Sequence, residues 1–273
     1  MAGNSFKLLV VDVDGTLVGR EGTVADEDRE ALVRASEAGI RVSLGTGRAF
    51  QSCAEVLDLL SLDGYHLFCD GALVYSPTRR EEGYAETLDR VVVRRAIEFA
   101  RRNEINIDFY STTRYFVERE TWSAAVHRDL FDISPTIADF DTLCEEERII
   151  KAGLVAASPG ERAKARRFHR EFGDSLYFSW VTSPTCPGVD FVNVVAPGVS
   201  KGKALQALIA HLGITPAEVI AIGDGNNDLS LLSVAGLGVA MGNATDEAKA
   251  VADYVTLDVE QGGVAAAVHR FLL

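Results

Sequence analysis

An α/β fold built on parallel strands is predicted by three features of this 273-residue chain. Leu8-Leu9-Val10-Val11 and Val219-Ile220-Ala221-Ile222 are compact apolar runs of the kind buried on both faces of a parallel sheet. Runs of this kind alternate with segments of helical periodicity. Both end in turns rich in Asp and Gly, and in open α/β sheets ligands bind outside the carboxyl ends of the strands. The middle of the chain has a different texture and reads as a separate α+β domain.

Taken in order, the first strand delivers Asp12-Val13-Asp14-Gly15-Thr16. Leu17 to Thr23, with Gly19 and Gly22, reads as a turn or flap, and Asp26-Glu27-Asp28 opens a helix that stops at Gly39. Ile40 to Leu44 alternates as a second strand and leads to Gly45-Thr46-Gly47-Arg48. A helix is expected from about Ala49 to Leu60, then an apolar stretch from Tyr65 to Cys69 before Asp70-Gly71-Ala72. Pro77 to Gly83 is polar and turn-rich, a candidate linker. Beyond it, Leu88, Val92, Ala96 and Ala100 mark one face of a helix, and Ile105–Tyr110 with Tyr115–Glu118 suggests a hairpin around Ser111-Thr112-Thr113. Helical segments near Trp122–Phe131 and Gly160–Phe172 alternate with strands near Ile149–Ala156, Leu176–Val181 and Val189–Val195. Ser200 is a credible N-cap for the next helix, with Leu205, Leu208, Ile209 and Leu212 at helical spacing and Gly213 as its stop. After Gly223-Asp224-Gly225-Asn226-Asn227-Asp228 come a helix, a short strand at Gly236–Met241, a helix at Asp246–Ala252, a strand at Tyr254–Thr256 and a last helix from Gly263.

Composition narrows the class. An apolar content of 47% with 25% charged residues is that of a globular protein. A formal net charge of −13 argues against general nucleic-acid binding, which depends on Lys and Arg at phosphates. It leaves room for an anionic substrate held by a local cation or metal. Cys53, Cys69, Cys144 and Cys186 lack the paired spacing of a zinc or redox site and read as reduced thiols. No apolar segment has signal-peptide or membrane-spanning form, so a soluble, cytoplasmic protein is expected.

Residues two apart on a strand share a face, so Asp12 and Asp14 look into one crevice while Val13 packs away. Two carboxylates this close repel, and a hard divalent cation resolves the repulsion. The competing readings are a surface turn rich in Asp and Gly and a fragment of a calcium loop, the latter needing a third acidic position and a closing Glu where Thr23 stands. Gly45-Thr46-Gly47 suits phosphate, its glycines letting backbone N–H groups approach an oxyanion and Thr46 adding a hydroxyl; alone, it is also an ordinary turn. Lys201 sits in the first turn of its helix, where a cation is unfavourable unless it has an anionic partner. Gly202-Lys203 is no P-loop, since Pro197 and Ala204 occupy required positions. Asp224 and Asp228 add two acids, the bland role of Asp228 being a helix cap.

These four segments occur in the order found in the haloacid dehalogenase superfamily, and the chain closely resembles its Cof-type phosphatases, subfamily IIB. Gly45-Thr46-Gly47-Arg48, Gly198-Val199-Ser200-Lys201-Gly202 and Gly238-Val239-Ala240-Met241-Gly242-Asn243-Ala244 also match. The resemblance implies a Rossmann-like core from residues 1–83 and 193–273, with an α+β cap, residues 84–192, inserted for substrate specificity. It implies Asp12 as nucleophile, forming an aspartyl-phosphate, and Asp14 as acid/base. Thr46, Gly47, Lys201 and Asn227 would serve the phosphoryl group. Magnesium would be held by the Asp12 carboxylate, the Asp14 backbone carbonyl and Asp224, with Asp228 supporting its water shell. The expected partner is a small phosphomonoester, sugar phosphates foremost, with neither nucleic acid nor membrane involved; the oligomeric state is not legible.

One departure is Asp70, where relatives commonly carry Asn; it is expected to cap a turn or to accept from substrate hydroxyls. Asp108, Tyr110, Arg114 and Tyr115 on the middle hairpin are candidates for the leaving group, equally well explained as a half-buried strand. A sugar phosphomutase shares this chemistry and differs in returning the phosphoryl group to a hydroxyl instead of water. A phospho-accepting signalling receiver uses similar residues, but its acceptor follows a middle strand and it carries no large insert.

Overall fold

The computed structural model describes residues 6–182 and 185–273. The first strand, β1 (Leu8–Val11), is buried throughout. Next come α1 (Asp26–Glu37), with its three acids in the first turn, and β2 (Arg41–Leu44), parallel to β1 with Leu44 opposite Val11. Where one helix is expected over 49–60, a 3-10 turn at Phe50–Cys53 precedes the short α2 (Ala54–Leu59). Neither Ala49 nor Cys53 caps with its side chain, and an uncapped start tightens readily into 3-10 geometry. β3 (His66–Phe68), β4 (Leu73–Ser76) and β5 (Glu81–Ala85) form an antiparallel sheet, joined to the end of β2 by a Gly45–Leu67 bridge. The candidate linker at 77–83 is therefore a hairpin turn plus the start of β5, whose Glu81 and Glu82 pair with Ser76 and Tyr75. An exposed edge strand can be as polar as a loop, which is why composition misled there.

The middle of the chain runs α3 (Arg90–Arg102), β6 (Asp108–Tyr110), β7 (Tyr115–Val117), α4 (Trp122–Phe131), β8 (Thr136–Ile137), α5 (Phe140–Glu146), β9 (Lys151–Ala156), α6 (Pro159–Phe172), β10 (Tyr177–Thr182) and β11 (Asp190–Val195). Asp89 and Ser158 cap α3 and α6 with their side chains. The strands form one sheet in the order β10-β11-β9-β6-β7-β8. Register sorts its faces: Tyr115 pairs with Tyr110, Tyr110 with Lys151, Asp108 and Asn193 with Gly153, Phe191 with Val155 and Ser179 with Asn193. Directly paired residues share a face, so Tyr110, Lys151, Gly153, Phe191 and Asn193 lie on one side. Phe109 and Phe178 lie on the other, against Phe140 of α5 and Phe168 of α6. The boundaries expected at 84 and 192 both fall inside strands, because β5 belongs with β4 and all of β11 with β9 and β10.

The chain then returns through α7 (Lys201–Leu212), β12 (Val219–Gly223), α8 (Leu229–Val234), β13 (Leu237–Ala240), α9 (Asp246–Val251), β14 (Tyr254–Val255) and α10 (Gly263–Phe271). Both chain ends thus build one parallel sheet, β14-β13-β12-β1-β2, with β1 between β12 and β2. Buried Asp28 of α1 ties the ends together, accepting from the Ala265 N–H of α10 at 2.7 Å. The carboxyl ends of β1, β2, β12 and β13 bring Asp12, Thr46, Asp224 and Asn243 to one rim. Among the described residues no helix is long and apolar enough to cross a membrane.

Candidate active site

The rim opens into a cleft of about 520 Å³ beneath the six-stranded sheet, with Asp12 and Asp14 both on its wall. Val13 is fully buried on the other side. Gly15 makes the turn at φ +84°, and a Cβ there would lie 2.4 Å from Asp224 Oδ2, so the backbone must close onto that carboxylate.

Ser200 caps α7 as expected, accepting from the Lys203 N–H, and so sets Lys201 at the helix start. Lys201 is wholly buried and its Nζ donates to Asp12 Oδ1 at 2.7 Å and Asp228 Oδ1 at 2.5 Å. The anionic partners demanded by its position are these two acids. Burial disfavours its charge, but Asp12 and Asp228 outweigh that and hold its pKa above the ordinary lysine value. Asp228 does not cap α8 with its side chain: Oδ2 accepts the N–H groups of Asp224 and Gly225, each at 3.0 Å, and shapes the loop. Thr16 donates to Asp224 Oδ1 at 2.9 Å.

Ligand oxygens of Asp12, Asp224 and Asp228 all lie within 4.8 Å of one another. Burial pushes the Asp12 carboxyl well above the usual range; Lys201 pulls it back, and Asp228 and Asp224 push it further up. Burial, then Asp228, raises Asp224 to about 7. Among the described residues Oδ2 of Asp12 and Oδ2 of Asp224 carry no hydrogen bond. An all-oxygen set whose negative charges raise one another's pKa fits a hard cation such as magnesium.

Thr46 is pinned by its backbone, its N–H to Leu67 and its carbonyl to the Asp70 N–H, while its Oγ1 accepts the Arg48 N–H at 3.0 Å and keeps its own proton to donate. Thr46 and Lys201 stand behind the cleft wall, which Gly47 and Arg48 line. Arg48 escaped the reading of the sequence as a functional residue. It forks both oxygens of Asp14, Nε to Oδ2 at 2.8 Å and Nη2 to Oδ1 at 2.6 Å, and rests on the Phe131 ring at 4.7 Å. Burial works against the guanidinium charge, but Asp14 overcomes it and raises its pKa. The Gly-Thr-Gly-Arg motif was visible, but nothing in it names the acid 34 residues away.

From the sheet above, Lys151 Nζ reaches across to the Gly47 carbonyl at 3.0 Å. Tyr110 stacks on Tyr115 and bonds His127 Nε2 at 3.2 Å; Tyr115 donates to Asp108 Oδ2 at 3.2 Å. Tyr110, His127 and Lys151 line the cleft, with Phe191 and Tyr177, whereas Asp108 and Tyr115 support them from behind. Arg114 is not among the lining residues: at the hairpin turn it pairs with Glu147 and lies over Phe116, on the far face of the sheet. Asp70 is buried, and instead of capping a turn or facing substrate it accepts Asn193 Nδ2 at 2.9 Å and Asn227 Nδ2 at 2.8 Å. Asn227 therefore bonds Asp70 and lines the cleft.

A family model described as haloacid dehalogenase-like hydrolase matches residues 9–268. The Arabidopsis thaliana protein named endoribonuclease YBEY, chloroplastic, is 30% identical over 97% of this chain, which spans 46% of that longer protein. The 5-amino-6-(5-phospho-D-ribitylamino)uracil phosphatase YcsE of Bacillus subtilis is 29% identical over 98% of this chain and 96% of its own. A solved haloacid dehalogenase-like hydrolase from Bacteroides thetaiotaomicron has a TM-score of 0.84 at 30% identity, covering 97% of this chain and 99% of its own. The subclass IIB sugar phosphatase BT4131 has a TM-score of 0.78 at 25% identity, covering 97% and 98%.

Proposed function

The chain belongs to the haloacid dehalogenase-like hydrolases, an enzyme family, and from that membership we propose that it is a magnesium-dependent phosphatase of small phosphorylated metabolites, sugar phosphates and similar phosphomonoesters. The observation that carries the reading is the division of labour between two acids one residue apart: Asp12 in the Lys201–Asp228–Asp224 cluster, Asp14 clamped by Arg48.

An Asp12 carboxylate oxygen attacks phosphorus, and the bond to the ester oxygen breaks. Asp14 gives its proton to that leaving oxygen. Water then attacks the phosphorus of the Asp12 acyl phosphate while Asp14 takes a proton from it, releasing phosphate and restoring both acids. Thr46, the Gly47 N–H, Lys201 and Asn227 hold the phosphoryl oxygens. Arg48 orients Asp14 toward the ester oxygen. The Asp12 carboxylate, the Asp14 backbone carbonyl and Asp224, with Asp228 behind, would hold magnesium, which when bound would supply positive charge to the phosphoryl oxygens.

We take α3 through β11 as a cap that selects the leaving group, and the parallel sheet with its helices as the core. The substrates in these relatives' names, a ribitylaminouracil phosphate and sugar phosphates, are small phosphomonoesters, and a cleft of about 520 Å³ supports a substrate of that class. Four free cysteines suit the reducing cytoplasm. A chelator should abolish turnover and magnesium restore it, and rapid-quench mass spectrometry should find a hydroxylamine-sensitive adduct on Asp12, absent from Asp12→Asn. Full activity in excess chelator, or an adduct on another residue, refutes the mechanism.

A further inference from the structure

Asp70 joins four parts of the site. Its backbone, left-handed at φ 54°, donates its N–H to the Thr46 carbonyl at 3.0 Å. Next to it, Gly71 lies so close to the start of α7 that a Cβ would stand 2.3 Å from the Ser200 carbonyl oxygen. Its side chain takes one amide from each side of the cleft, Asn193 from β11 on Oδ2 and Asn227 from the loop after β12 on Oδ1. A Cβ on Gly47 would fall 2.8 Å from Asn193 Nδ2 and 2.9 Å from Asp70 Oδ1, so the Gly47 backbone rests directly on this pair. Asn193, Asn227 and Gly47 line the cleft; Asp70 does not.

The chemistry of the acceptor decides how the amides lie. A carboxylate presents acceptors only, whereas a side-chain amide has an NH2 end and a carbonyl end that differ little in shape. Facing Asp70, each amide must offer its NH2 end. One N–H is used there and the second remains. An amide at position 70 would tolerate either orientation of its neighbours, since it could meet each end with a complementary one.

We propose that Asp70 is a positioning residue that locks Asn193 and Asn227 in one orientation, so that their remaining N–H groups flank the Gly47 N–H as a triplet of donors for the transferred phosphoryl group. The proposal rests on the phosphoryl-transfer reading above. It adds Asn193, carried by the return strand of the upper sheet, to the residues that contact substrate. The donors thus come from both sides of the cleft, and the full set exists only when β11 and the loop after β12 are held together.

Asp70→Asn keeps the volume and removes the exclusivity. With magnesium present, kcat/KM should fall about tenfold to a hundredfold by the same factor on every substrate, as is usual when a supporting partner of a site residue is lost. Inhibition by orthovanadate should weaken in parallel, while the magnesium concentration for half-maximal activity stays within about twofold, because Asp70 is not a metal ligand. A double-mutant cycle separates positioning from general support. If Asp70 acts through the amides, Asp70→Asn should add less than about twofold on an Asn193→Ala, Asn227→Ala background. Additive losses, or a vanadate response unchanged in Asp70→Asn, overturn the proposal. Should Asp70→Asn fail to fold, Asn193→Ala carries the test: it must weaken vanadate inhibition about tenfold, one charge-assisted hydrogen bond's worth, and an effect below twofold refutes the assignment. Wild-type protein without magnesium-dependent hydrolysis would instead remove the phosphatase reading itself.

Discussion

The contrast between the two acids of the first motif lies in their partners. Asp12 shares the buried ammonium of Lys201 with Asp228, whereas Asp14 is gripped by the planar fork of Arg48. A fork fixes the carboxylate plane as well as its position, which a point charge cannot do. Arg48→Lys should therefore keep the charge and lose the aim. On alkyl phosphates kcat should drop about a hundredfold, the usual worth of a positioned acid. Aryl phosphates, whose leaving groups need little protonation, should be hydrolysed at near wild-type rates. Stopped-flow comparison of the two substrate classes checks this, and equal losses on both would place Arg48 on the phosphoryl group instead of on Asp14.

In the strand pair β6–β7, Asp108, Tyr110 and Tyr115 form a polar cluster with His127 of α4 on the cleft-facing side of the sheet. Burial pushes Asp108 up to about 7, against the opposing hydrogen bond from Tyr115 and the charge of Lys151, and burial lowers His127 to about 4. The cluster therefore carries a neutral histidine at physiological pH, with Asp108 titrating nearby. For an acid whose folded pKa is raised, the native state keeps a proton that the unfolded chain has lost. Stability then falls as pH rises from about 3.8 toward 7, and the penalty is fully present above that window. Asp108→Asn removes the titration and can still accept from Tyr115. Its stability relative to wild type should increase between pH 4 and pH 7.5 by about 2–4 kcal/mol, at about 1.4 kcal/mol per pKa unit, and then level off. Urea unfolding at several pH values measures it; a difference that is flat with pH would show that Asp108 does not titrate in this window.

Two sheets face each other across one cleft, and three contacts among the described residues bridge its two sides: Lys151 to the Gly47 carbonyl, Arg48 to Phe131 of α4, and Asn193 to Asp70. Each lands on or beside the Gly-Thr-Gly-Arg loop, so the upper sheet is registered against that loop. The glycine in the middle of β9, Gly153, lines the cleft and makes room for Tyr110, whose ring lies 3.3 Å from where a Cβ would stand. If this face selects the leaving group, Tyr177→Ala or Phe191→Ala should reorder a panel of phosphomonoesters by about tenfold in kcat/KM, the worth of a buried aromatic contact. Vanadate inhibition should stay unchanged. Uniform losses across the panel would mean that Tyr177 and Phe191 serve the phosphoryl group instead of the leaving group.

What could be read from the residues alone was whatever depends on near neighbours in the chain. The strand before Asp12, the shared face of Asp12 and Asp14, the cap at Ser200 and the hairpin of β6 and β7 follow from side-chain alternation, capping and turn chemistry over a few residues. Tertiary structure decided the pairings. Arg48 meets Asp14 across 34 residues, and Asp70 meets Asn193 and Asn227 across 123 and 157. Such contacts leave no periodicity behind, because a salt bridge or a hydrogen bond requires only that two groups coincide in space, and the fold alone settles which ones do. The polar Glu81 and Glu82 were misread for the same reason: whether such a run floats as a linker or pairs as an edge strand depends on β4 lying beside it.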